Sequence, residues 1–111
     1  MDAADYEQII ESGDVLDGST INITLKELHF RKEAELVAAL KRILATNAIE
    51  KPEGGSASSV TWYRIDLARE EAERIVDLFL DLEGGQLGEG GTPTPVSQFY
   101  GALADKWTPF T

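Results

Sequence analysis

The chain carries one histidine and no cysteine, so disulfides, thiolate metal sites and cysteine nucleophiles are excluded at once. The histidine, His29, stands between Leu28 and Phe30. A catalytic histidine needs an orienting carboxylate and a nucleophile, and no spacing in the sequence places either beside it. It reads as a residue that packs or caps at the start of a helix. Carboxylates are the chemistry present in quantity. Glu70, Arg74, Asp77 and Asp81 share one helical face, and Glu73 lies four residues before Asp77. Paired carboxylates can hold a hard cation, but a two-metal bundle site also requires Glu-x-x-His, which the sequence lacks, as it lacks a twelve-residue calcium loop. Glu70, Glu73, Asp77 and Asp81 therefore read as a solvated acidic face, and neither metal nor cofactor is expected.

Two further motifs fail on their context. Gly84-Gly85-Gln86-Leu87-Gly88-Glu89-Gly90-Gly91 follows a helical pattern, contains an acid and lacks the Gly-Lys-Ser/Thr ending of a phosphate loop. Asn22-Ile23-Thr24 matches a glycosylation sequon but falls in an expected strand, with no secretion signal before it. The remaining catalytic option is a carboxylate such as Asp66 working with Tyr63 or Arg64 in a cleft between subunits.

Charge narrows the partners. Twenty acids against ten bases give a net charge of −10, a surface that repels phosphates and anionic lipid. Residues 1–17 hold six acids and no base, and residues 67–83 six acids and two bases, whereas residues 26–51 hold six bases and four acids. Arg31, Lys32, Lys41 and Arg42 interleave with Glu33 and Glu35, so they form no dedicated phosphate track. No apolar run approaches the ~18 residues that span a bilayer. Neither nucleic acid nor a membrane is an expected partner, and the expected compartment is cytoplasmic.

These side chains need elements to position them. Tyr6, Ile9 and Ile10 predict a short helix over residues 2–12, stopped by Gly13. After the Asp17-Gly18 turn signal, strict alternation predicts a strand over 21–25, with Val15 and Leu16 as a partner across the turn. Leu36, Val37, Leu40, Ile43 and Leu44 form the stripe of a helix over 30–46, on which Arg31 and Glu35 can pair. A loop over 50–59 precedes a second alternating strand, 60–67. Asp66 or a neighbour would cap a helix over 68–83, with Gly84 as its C-cap. Residues 84–93 read as a flexible glycine-rich connector. Beyond it, Thr94-Pro95 starts an amphipathic helix over 95–107, carrying Val96, Phe99, Tyr100, Leu103 and Trp107.

The expected fold is a single α/β (or α+β) domain over residues 1–111: a small two-layer β-α-β-α core with a short N-terminal helix and a C-terminal amphipathic helix. Ile23-Thr24-Leu25 against Ile65-Asp66-Leu67, and residues 31–35 against 69–73, even suggest a duplicated strand–helix unit. Two strands alone are marginal, and the helix over 68–83 is apolar around more than the ~100° that one covering layer needs. A homodimer relieves both. The functional expectation is thus a non-catalytic protein-interaction module, an acidic homodimer that also binds another, possibly basic, protein. Leu78, Phe79, Leu82, Phe99, Tyr100, Leu103 and Trp107 are the interface candidates, since aromatic anchors concentrate binding energy. An acidic inhibitor that imitates nucleic acid or caps a basic enzyme surface, as small phage or immunity proteins do, and a small dimeric enzyme using carboxylates are the alternatives.

Overall fold

The computed structural model of the chain describes residues 3–11, 13–49 and 60–111. Residues 2 and 12 of the first expected helix, and the loop expected over 50–59, lie outside them. Helix accounts for 72% of the described residues, in five α-helices and two short 3₁₀ turns, and the sheet has two strands. The β-α-β-α core, and the α/β (or α+β) class built on it, is thereby overturned. Two compact units divide the chain, Met1–Asp66 and Leu67–Thr111.

The first unit contains α1 (Ala3–Glu11), β1 (Val15–Asp17), α2 (Gly18–Phe30), α3 (Ala34–Thr46) and β2 (Trp62–Arg64). The decisive departure is α2, which occupies the segment expected to be a strand. Asp17 ends β1 and at once caps the helix: its Oδ2 accepts the Thr20 N–H at 3.1 Å and its Oδ1 the Thr20 hydroxyl at 2.7 Å. The buried stripe is Thr20, Ile21, Thr24 and Leu28, a helical spacing. Thr24 is tolerated inside because its hydroxyl donates to the Thr20 carbonyl at 2.8 Å. Over five residues the alternation of Ile21, Ile23 and Leu25 is also met by a helix, since Ile21 and Leu25 are four apart and share a face. The cap and Leu28 decide the matter.

Because residues 23–25 are helical, the proposed duplication disappears. Val15 and Leu16 are extended, but their partner is β2, which runs antiparallel with Val15 opposite Arg64, Leu16 opposite Tyr63 and Asp17 opposite Trp62. On the other side of β2, Ala48 makes an antiparallel bridge to Tyr63. There the Ile49 N–H reaches the Trp62 carbonyl at 2.7 Å, and the Arg64 N–H reaches the Asn47 carbonyl at 3.0 Å. The short strand is therefore hydrogen-bonded along both edges, which relieves the open-edge problem without a second subunit. Gly18 belongs to the same junction: a Cβ there would lie 3.1 Å from the Tyr63 ring.

The helix expected over 30–46 begins only at Ala34, so Phe30 closes α2, and Arg31 is off the helix that carries Glu35. Leu36, Val37, Leu40 and Ile43 are its buried face. They join Val15, Leu16, Ile21, Leu28, Ile49 and Ile65 as the buried apolar residues of this unit.

The second unit contains α4 (Arg69–Gly85) and α5 (Pro95–Trp107), each followed by a short 3₁₀ turn, Glu89–Gly91 and Thr108–Phe110. Ala68, and not Asp66, is the N-cap of α4, and the Glu71 carboxylate accepts its N–H at 2.9 Å. The helix runs through Gly84 to end at Gly85. Thr94 caps α5 reciprocally with Ser97: the Ser97 N–H donates to the Thr94 hydroxyl oxygen at 3.1 Å, and the Thr94 N–H donates to the Ser97 Oγ at 2.8 Å. The Thr94 hydroxyl also donates to the Gln86 carbonyl at 2.6 Å, tying the end of α4 to the start of α5. Between them the Gly88 N–H reaches the Thr92 carbonyl at 2.7 Å, with Gly90 and Gly91 at φ of 70° and 79°, a region where glycine is at home.

Candidate functional site

Several of the expected interface residues lie on α5. Its stripe of Val96, Phe99, Tyr100, Leu103 and Trp107 divides by depth. Leu103 and Trp107 are buried, as are Ala72, Ile75 and Phe79 of α4. Trp107 meets Phe110 edge-on, with ring centroids 6.1 Å apart. Phe79 and Tyr100 stack at 6.3 Å with their planes 24° apart, and Tyr100 meets Phe99 at 5.8 Å. The three rings make a continuous series from the interior to the solvent. It ends at Phe99, which is 48% exposed, with Val96 at 47% one turn earlier on the same face and Leu80 of α4 at 49%. Gly101 makes room for the Glu83 carboxylate to lie over the backbone of α5, where a Cβ would collide with it.

The seven interface candidates thus separate. Phe79, Leu103 and Trp107 belong to the chain's own interior. Leu78, Leu82 and Tyr100 are half-buried, and Phe99 is open to solvent. Val96, part of the α5 stripe, is not among the interface candidates, and neither is Leu80 of α4. Which edge of a stripe stays uncovered is decided by neighbours that periodicity does not specify.

Glu70, Glu73, Asp77 and Asp81 are all exposed along α4. Glu73 pairs with Arg69 one turn away at 3.1 Å. Among the described residues no group of three or more His, Asp or Glu side chains could hold a metal ion.

Asp66 sits in the first unit in a two-point clamp: Arg42 Nη1 and Nη2 donate to its two carboxylate oxygens at 2.9 and 2.8 Å. The Arg42 hydrogen bonds hold its pKa below the ordinary value of 3.8, with Asn47 helping and partial desolvation opposing. A general acid requires the opposite shift. Asp66 is ionised at neutral pH with both oxygens engaged, and it fastens α3 to the chain leaving β2. Asn47 supports the same junction by donating from Nδ2 to the Arg64 carbonyl at 3.0 Å. His29 lies exposed in the last turn of α2, not at the start of α3.

No helix among the described residues is long and apolar enough to cross a membrane. In comparisons with protein-family models, curated proteins and solved structures, the chain matches none of them.

Proposed function

We propose that the protein is a non-catalytic interaction module that self-associates through the exposed apolar face of α5, packing Phe99 and Val96 against a second copy. The observation that carries this reading is the ring series Phe79–Tyr100–Phe99, which anchors a solvent-facing aromatic to a buried one. An anchored ring loses little side-chain freedom on binding, which is what makes aromatic anchors effective. A Phe side chain offers ~150–250 Å². Covering the exposed half of Phe99 removes about 100 Å² from water, worth about 2.5 kcal/mol per copy at ~25 cal/mol per Å². The acidic stripe of Glu70, Glu73, Asp77 and Asp81 remains outside that contact as a face for a basic partner protein.

The absence of cysteine makes the test direct. Val96→Cys places a single thiol on the proposed contact, and Asp77→Cys places one on the acidic stripe. Under mild oxidation the Val96→Cys chain is expected to form a covalent dimer at least ~10-fold faster than the Asp77→Cys chain, as effective concentration within a complex dictates. Equal rates for the two variants would remove the reading.

A further inference from the structure

The turn between α2 and α3 builds a second feature that the α5 face does not use. The Glu33 N–H reaches the Leu28 carbonyl at 3.0 Å and the Lys32 N–H the His29 carbonyl at 3.1 Å. This is the paired-bond helix ending in which glycine usually occupies the left-handed position, yet here Lys32 holds it, at φ 60°. Beside the turn lies a solvent-open groove of about 400 Å³ lined by His29, Lys32, Ala34, Val37, Ala38 and Lys41. Val37 is buried and gives the groove an apolar floor together with Ala34 and Ala38, whereas His29, Lys32 and Lys41 are exposed at its rim. Neither lysine has an ion-pair partner among the described residues. Ala34 is the first residue of α3, so the positive end of that helix opens on the same space, offset in part by Glu33 and Glu35.

We propose that this groove docks an acidic amphipathic segment of a partner protein, with carboxylates on Lys32 and Lys41 and an aliphatic or aromatic side chain on the Val37 floor. Charge complementarity selects the occupant. On a chain of net charge −10, two exposed lysines flanking an apolar floor favour a ligand that is both anionic and greasy. A nucleic acid would use the two lysines but leave the Ala34, Val37 and Ala38 floor unfilled, and its long run of phosphates would meet far more of the acidic surface than a short segment with one or two carboxylates. A small organic acid would be only partly covered, because small-molecule sites enclose ~70–90% of their ligand and this groove is open. The proposal extends the interaction-module reading but uses a different surface, so each can fail alone.

The test immobilises the full-length chain and selects from displayed random short peptides. Enriched sequences are expected to place Asp or Glu on either side of an aliphatic or aromatic residue. Fluorescence anisotropy with one enriched peptide is expected to weaken at least ~10-fold in the Lys32→Glu/Lys41→Glu variant, and also between ~50 and ~500 mM salt. Phe99→Asp is expected to leave the peptide affinity unchanged. No enrichment, recovery of uncharged or basic sequences, or affinity indifferent to the two lysines would overturn the proposal. So would self-association of the full chain that the lysine pair abolishes, since the occupant would then be a second copy.

Discussion

Replacing Asp17 with alanine removes the side chain that starts α2, and the cost can be worked from its contacts. The carboxylate caps the Thr20 N–H and also accepts the Thr20 hydroxyl. Loss of an N-cap costs about 1 kcal/mol. Thr20 is 2% exposed, so its hydroxyl is left without that acceptor inside the unit, at about another 1 kcal/mol. With an unfolding entropy of ~2.1 cal/mol/K per residue, a loss of about 2 kcal/mol lowers the Tm of a chain this size by about 8 °C. The assay is thermal unfolding followed by circular dichroism at the helical band, with Asp17→Asn beside Asp17→Ala. Asparagine caps as well as aspartate, so Asp17→Asn should retain at least half of the lost stability. An unchanged Tm for Asp17→Ala, or equal losses in both variants, would refute the assignment of Asp17 as the initiator of a helix over residues 18–30.

Other outcomes follow from the same contacts. Thr94→Ala removes both the α5 cap and the bond to the Gln86 carbonyl, and should cost about 1–2 kcal/mol in urea unfolding. Lys32→Gly relieves a left-handed residue and should stabilise the chain by about 0.5–1 kcal/mol while weakening acidic-peptide binding. Arg42→Ala should cost about 0.5–1 kcal/mol at neutral pH, because the pair it breaks is roughly half exposed. Asp66 has a folded pKa below 3.8, so as the pH falls the unfolded chain takes up the proton first. The clamp's contribution is whole well above 3.8 and is lost as the pH falls through that value and then through the lower folded one. The gap between wild type and Arg42→Ala, measured in urea across this range, should close in acid and not in base.

How far the sequence foretold the structure depended on how long each pattern ran. α3, α4 and α5 were legible because their stripes repeat over three turns or more, and because Thr94-Pro95 is an unambiguous start. α2 was not, since five alternating residues satisfy a strand and a helix alike. What separates the two is Asp17 read as a cap instead of a turn, with Leu28 continuing the stripe. The pairing of β2 with residues 15–17 and 47–49 was also illegible, because three-residue strands carry too little pattern to specify partners. On the surface, the aromatic richness of α5 was plain, but the division into buried Trp107 and exposed Phe99 depends on which neighbours cover which edge. The basic groove was illegible for a related reason: Ala34, Val37, Ala38 and Lys41 share one face of α3, but that His29 and Lys32 line the same space depends on the left-handed turn at Lys32, which no pattern in the sequence announces.

Sedimentation equilibrium of the wild-type chain at tens of micromolar tests the central claim most directly. Self-association through the α5 face predicts an average mass rising toward twice 12.1 kDa with concentration, and falling back to the monomer value in Phe99→Asp. A mass that stays at that of one chain throughout, or an assembly that Phe99→Asp leaves intact, would contradict it.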